Sequence, residues 1–201
     1  MSTPYDQIAS QWIKHRTQLP PQDQTLFDAF IKQLPKHAHL LDLGCGSGFP
    51  IHKLMLDNGF SLLGIDSSQV LLNHAQSQLP QGCFERNDLT NIELTEPYQG
   101  IILWDALFHL PRSEHQPLLQ KAFNALAPNG VMILSSGGAE TDIPAFSDFM
   151  FDVEFHYDAH TITALKDLCT SIGFEIMQLE VLNKPDGGRD KGRIGLLLHK
   201  P

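Results

Sequence analysis

The stretch Leu40-Leu41-Asp42-Leu43-Gly44-Cys45-Gly46-Ser47-Gly48 decides how this chain folds. Its leucines predict a strand covered on both faces, and that strand runs straight into glycines at every second position. Glycine lacks a Cβ, so the chain can turn sharply there and bring backbone N–H groups close to a ligand. Pro50 suits the first turn of a helix that follows, and a helix N-terminus attracts polar or anionic ligand groups. Strand, glycine loop and helix in that order predict half of a βαβ unit that holds a nucleotide-like molecule.

The rest of the chain repeats the alternation. Short apolar runs predict strands over His39–Leu43, Ser61–Ile65, Cys83–Arg86, Gly100–Trp104, Val131–Ser135, Glu175–Leu182 and Arg193–His199. Amphipathic segments between them predict helices over Tyr5–Thr17, Gln22–Gln33, Pro50–Asn58, Ser68–Gln78, Ser113–Leu126 and Thr161–Ile172. Asn58-Gly59 and Asn129-Gly130 suit helix exits, and Ser67 or Ser68 can cap the helix behind it. The expectation is a single α/β domain over residues 1–201, with a mainly parallel sheet. Residues 1–35 form a helical N-terminal cap. Residues 137–160 fit neither template and are expected to be an irregular insertion over the active site, at the carboxyl edge where open α/β sheets bind ligands.

Three carboxylates follow strand ends. Asp42 precedes the glycines, where an acid is costly unless a partner such as the ammonium group of a bound amino acid offsets its burial; the competing role is to cap loop amides. Asp66 falls 22 positions after Gly44, close to the spacing at which an acid receives ribose hydroxyls. It could equally cap the next helix. Asp88, after the third strand, could accept from an adenine amino group or simply shape a turn.

Leu41-Asp42-Leu43-Gly44-Cys45-Gly46-Ser47-Gly48, Gly64-Ile65-Asp66-Ser67-Ser68, Asn87-Asp88-Leu89 and Trp104-Asp105-Ala106-Leu107-Phe108-His109-Leu110-Pro111 together resemble the class I S-adenosylmethionine-dependent methyltransferases. The resemblance covers nearly the whole chain. It is strongest toward small bacterial-type members with W-D-x-x-F-H-L after strand four and an S-G segment after strand five, here Ser135-Ser136-Gly137-Gly138. It implies a Rossmann-like, doubly wound, three-layer αβα fold with seven strands in the order 3-2-1-4-5-7-6, the last strand antiparallel. It implies S-adenosyl-L-methionine as cofactor. Gly44, Cys45 and Gly46 would then pack on the methionine and ribose, Asp66 with Ser67 would hold the ribose, Asp88 and Leu89 would frame the adenine, and Trp104 would shape the methyl-transfer site. Tyr5 and Trp12 resemble the opening helix that covers the cofactor in many members, although positions i and i+7 also make an ordinary apolar stripe. Arg16 shares that face and could reach the methionine carboxylate; the simpler expectation is a solvated arginine.

Methyl transfer from a sulfonium needs alignment and exclusion of water more than an elaborate catalytic set. A protic acceptor also needs a base. His109, just past the fourth strand, is the first choice, with Asp105 and His156 as further candidates and Tyr157 as an acceptor-binding group; any of them could instead satisfy backbone groups. Phe108, Trp104 or Phe155 could attract the sulfonium through a ring face. The histidine pairs His37/His39 and His156/His160 lack a third ligand, so no metal is expected.

The formal net charge of −9 opposes binding to nucleic acid, and the basic residues Lys184, Arg189, Lys191 and Arg193, interleaved with Asp186 and Asp190, read as a solvated hairpin loop. No Asn-Pro-Pro-Tyr follows strand four, so the acceptor is expected to be a small molecule. Cys45, Cys83 and Cys169 lack paired spacing and read as reduced, buried thiols. Residues 1–10 carry no signal-peptide pattern and no apolar run spans a bilayer, which predicts a cytoplasmic monomer or homodimer with no membrane partner. Two rivals stand. An NAD-linked oxidoreductase is opposed by the glycine spacing and by Asp42 beside a pyrophosphate; a non-catalytic S-adenosylmethionine-binding module is distinguishable only by turnover.

Overall fold

Successive residues of a strand point to opposite faces, so a strand buried on both sides must be apolar throughout. Leu41, Ile101, Leu103, Met132 and Leu134 enter one core, while Leu40, Ile102, Trp104, Val131 and Ile133 enter the other. The first core is closed by α5 (Arg112–Ala125) and α6 (Ile162–Ile172), through Leu118, Leu119, Ala122, Leu165 and Cys169. The second is closed by α2 (Pro21–Gln33) and α3 (Ile51–Asp57), through Leu26, Phe27, Phe30 and Met55. These positions come from a computed structural model that describes residues 2–95, 97–186, 188 and 190–201. Arg189, one of the basic residues singled out above, lies outside the described residues.

The sheet between the cores contains β1 (His39–Leu43), β2 (Ser61–Asp66), β3 (Cys83–Arg86), β4 (Tyr98–Leu103), β5 (Leu126–Gly137), β8 (Glu175–Asn183) and β9 (Arg193–His199). Its order is β3-β2-β1-β4-β5-β9-β8. The first five strands are parallel, and β9 is antiparallel to both β5 and β8. This is the expected seven-strand layout, with higher numbers only because two more strands intervene. The register pairs Asp42 with Gly64 on one side and Ile102 on the other, so the carboxyl ends of β1, β2 and β4 meet at one edge.

The intervening strands correct the irregular reading of residues 137–160. β6 (Phe146–Met150) and β7 (Val153–Tyr157) pair antiparallel as a separate hairpin. Its two-residue turn, Phe151-Asp152, has φ of 50° and 63°. Such turns usually carry Asn-Gly or Asp-Gly, and Phe-Asp gave no turn signal. Arg112 staples the hairpin's base to the start of α5: its backbone N–H and its Nε both donate to the Asp158 carboxylate, and its other guanidinium nitrogens reach Asp142 and the Ile143 carbonyl.

Helix α1 (Pro4–His15) starts at Thr3, whose hydroxyl accepts from the Asp6 N–H while the Asp6 carboxylate accepts from the Thr3 N–H. Asp6 also accepts from the Ser68 hydroxyl at 2.6 Å and the Val70 N–H at 3.2 Å, which pins α1 to the start of α4 (Gln69–Gln78). The cysteine expectation is corrected as well. All are free thiols, but Cys83 is exposed and Cys45 only partly buried, because β3 is an edge strand and Cys45 sits in the glycine loop.

Candidate active site

The glycine loop takes the conformation for which its composition was read. Gly44 and Gly48 have φ of 79° and 77°, and a Cβ at Gly44 would fall 2.7 Å from that of Ala106. The Gly44 and Cys45 N–H groups donate to the Ile65 carbonyl at 2.8 and 3.0 Å, binding the loop to the end of β2. Asp66 continues that seam. Its Oδ2 accepts from the Gly46 N–H and its Oδ1 from the Ser68 N–H, both at 2.8 Å, while Ser68 itself caps α4. Burial, with the nearby Asp42 charge, holds the Asp66 carboxyl above the usual range despite those N–H bonds.

A cavity of about 310 Å³ opens over this edge. Most of the residues proposed from sequence line it: Asp42, Gly44, Cys45, Gly46, Asp66, Ser67, Asp88, Leu89 and Trp104 from the sheet side, Tyr5 and Trp12 from α1, and Asp105, His109 and His156. Phe155 lines it as well, whereas Phe108 and Tyr157 belong to a second cavity. That second cavity, of about 500 Å³, lies between Phe108, Phe146 and Tyr157 on one wall and Asn183, Asp190 and Arg193 on another. Of the residues proposed from sequence, Phe108 and Tyr157 line this cavity and not the first.

Their local roles differ from the simplest reading. Asp42 is almost wholly buried and already has a protein partner, His52 Nδ1 at 3.2 Å. Asp88 uses Oδ1 to accept from both the backbone and the hydroxyl of Thr90, so it does shape a turn. Trp104 is an anchor of the wall: its indole N–H donates to Asp23 at 3.0 Å and its ring meets Phe27 at 4.8 Å.

Asp105 is not a vacant base. Its carboxylate accepts from Arg16, from Arg193 at 2.7 Å and from the Ser135 hydroxyl at 2.9 Å. Burial alone would raise this carboxyl, but Arg16 and Arg193 hold it below the usual range. The two arginines are corrections. Arg16 is not simply solvated, and Arg193 is not part of a solvated loop, because it bridges Asp105 and the fully buried Asp23 at 2.6 Å. No local signal marks this network; its members lie 81, 88, 89 and 170 positions apart.

His109 stands in a one-turn 3-10 helix, Leu107–His109, after β4. Its Nδ1 is 3.0 Å from the His156 carbonyl and its Nε2 3.0 Å from the Tyr5 hydroxyl. A carbonyl can only accept, so the neutral ring carries its proton on Nδ1, and Tyr5 donates to the Nε2 lone pair. Burial lowers the His109 pKa and favours that neutral form.

A Rossmann-like sheet whose glycine loop and β2 carboxylate face one cavity defines the class I S-adenosylmethionine-dependent methyltransferase fold. A family profile described as a methyltransferase domain matches residues 14–179, and the chain belongs to that family. It is similar to the trans-aconitate 2-methyltransferase of Variovorax paradoxus, 33% identical over 105 residues that cover 50% of this chain and 39% of that protein. The chain thus spans about two fifths of that relative's length. Among solved structures, an S-adenosylmethionine-dependent methyltransferase from Clostridium acetobutylicum superposes with a TM-score of 0.75 at 14% identity, covering 98% of this chain and 99% of the other. The [4+2]-cyclase SpnF superposes with a TM-score of 0.74 at 15% identity, covering 98% and 93%. The fold is therefore shared by proteins named for different reactions. Among the described residues, no helix is long and apolar enough to cross a membrane.

Proposed function

We propose that this chain transfers the methyl group of S-adenosylmethionine to a small-molecule acceptor. The observation that carries the reading is the position of Asp66 across from the Gly44–Gly46 turn, in the one cavity that also gathers Asp88 and the α1 aromatics. The residues present fit such a cofactor. Asp66 accepts the ribose hydroxyls, Asp88 and Leu89 frame the adenine, and Gly44, Cys45, Gly46 and Ser67 lie against the ribose and methionine. Arg16 gives the cavity a guanidinium for the methionine carboxylate, and the acidic partner for the ammonium is Asp42.

The bound cofactor supplies an activated methyl group on sulfur. The chain aligns the acceptor and excludes water. Tyr5, Trp12 and Phe155 close over the site with ring faces that attract a cation. Their contacts fix them: Tyr5 meets Trp12 at 5.1 Å and Phe155 at 4.9 Å. His109 and His156 stand at the acceptor end, while Asp105 orders the wall through Arg16 and Arg193. The net charge of −9 argues against nucleic acid as acceptor. A single cytoplasmic domain over residues 1–201, as monomer or homodimer, completes the reading.

Calorimetry tests the cofactor assignment. S-adenosylmethionine and S-adenosylhomocysteine should bind saturably and NAD should not; tight NAD binding with neither methyl-cycle ligand bound would overturn it. Turnover with a panel of small acceptors separates an enzyme from a binding module.

A further inference from the structure

We propose that Tyr5 and His109 form a proton relay in which the Tyr5 hydroxyl touches a protic methyl acceptor and His109 finally keeps the proton. The inference rests on the cavity being an S-adenosylmethionine site. It names the acceptor class as a hydroxyl, thiol or ammonium compound that still carries its proton near neutral pH, in contrast to a carboxylate.

The geometry assigns the direction of transfer. Both nitrogens of His109 are engaged, Nδ1 by the His156 carbonyl and Nε2 by Tyr5, each at 3.0 Å. An incoming molecule therefore meets the pair through the Tyr5 oxygen, whose lone pairs can still accept. Tyr5 is held in place from three sides: by Trp12, by Phe155 and by the ring of His109 at 5.7 Å. Its helix is pinned by Asp6 to Ser68 and Val70. The His156 carbonyl fixes the imidazole from the hairpin side, so α1, the 3-10 turn after β4 and β7 meet at this pair.

Burial, then the negative charge of Asp66, pushes the Tyr5 ionisation upward, so a phenolate does not persist. The two protons move together. The acceptor X–H bond breaks and its proton goes to the Tyr5 oxygen, as the Tyr5 proton passes to His109 Nε2. The X–H electron pair stays on X and forms the bond to the methyl carbon, and the pair of the broken methyl–sulfur bond stays on sulfur. Neutral thioether, methylated acceptor and an imidazolium result, and the imidazolium keeps its Nδ1–H on the His156 carbonyl.

The test uses 4-nitrophenol as probe on the protein loaded with S-adenosylhomocysteine, reading phenolate absorbance against pH. The bound probe should ionise about one pH unit below the free probe, a change of about tenfold in its ionisation constant. Tyr5→Phe, which keeps the ring packing, and His109→Gln should each abolish that shift when read at S-adenosylhomocysteine concentrations that saturate each variant. Nitrogen NMR of wild-type His109 should show the proton on Nδ1. Absence of the shift in the wild type, its survival in Tyr5→Phe, or a proton on Nε2 would each overturn the relay. S-adenosylhomocysteine failing to bind at all would remove the cofactor reading and the relay with it.

Discussion

Arg193 on the last strand and Asp23 on the second helix are 170 positions apart in the chain and 2.6 Å apart in space. Asp23 is fully buried and also accepts from the Trp104 indole, while Arg193 continues to Asp105 and, through it, to Arg16. This chain of charges joins α1, α2, β9 and the end of β4 behind the cavity wall. Deleting one partner of a buried pair leaves the other charge uncompensated, at a cost of about 3–5 kcal/mol.

Asp23→Ala should therefore lower the free energy of unfolding by about 3–5 kcal/mol, read from urea denaturation. A loss below about 1 kcal/mol would mean that water and the remaining Asp105 contact compensate Arg193 fully.

Acid should unfold the protein through Asp105 and Asp158. Burial opposes ionisation of both, but Arg16 and Arg193 hold Asp105, and Arg112 holds Asp158, below the ordinary carboxyl range. A carboxylate with a folded pKa below its unfolded value contributes stability that is full above about pH 4 and is lost as pH falls through the folded value. The urea midpoint should fall steeply below about pH 4, and a midpoint flat down to about pH 2.5 would contradict the assignment.

Asp66 has the opposite sign. Its folded pKa is raised, so its ionised form costs stability at neutral pH, and the stability associated with the protonated form is lost as pH rises. Ribose hydroxyls donate more strongly to the ionised carboxylate, which offers both oxygens as charged acceptors, than to the protonated acid. S-adenosylhomocysteine affinity should thus decline on acidification at a higher pH than an ordinary aspartate would give, and calorimetry across pH in wild type and Asp66→Asn checks it; an identical pH profile in both would remove Asp66 from the binding set.

Asp66→Ala should weaken S-adenosylhomocysteine by about 2–4 kcal/mol, roughly 30-fold to 1,000-fold in Kd. It also removes the acceptor for the Gly46 and Ser68 N–H groups, so the apo protein should melt earlier, although Ser68 still caps α4. Normal affinity with an earlier melt would leave Asp66 a structural tie alone.

Arg112→Ala should free the β6–β7 hairpin while sparing the sheet. Hydrogen exchange should quicken across residues 142–158 and stay unchanged in β1, β4 and β5, whose bonds do not depend on Arg112. Uniformly faster exchange would show that the staple holds the whole domain.

By itself the sequence determined the sheet, the glycine loop and most of the residues that line the cavity at its carboxyl edge. Those features are local: apolar runs set by two covered faces, glycines that permit positive φ at Gly44, and acids at strand ends such as Asp66 that a parallel sheet necessarily brings to one edge. The β7 alternation, Val153, Phe155 and Tyr157 against Glu154 and His156, was present in the sequence, but β6 puts Asp148 on the half-covered side and Phe149 on the exposed one, so its pattern and its unusual turn both hid the hairpin. What the tertiary structure alone decided is which groups neutralise one another. Asp105 was a candidate base until Arg16 and Arg193 met it, and His109 a lone imidazole until Tyr5 and the His156 carbonyl fixed its tautomer. Charge pairing depends on distances across the fold, and Arg193 and Asp23 have no periodicity, spacing or neighbour in the chain to announce it.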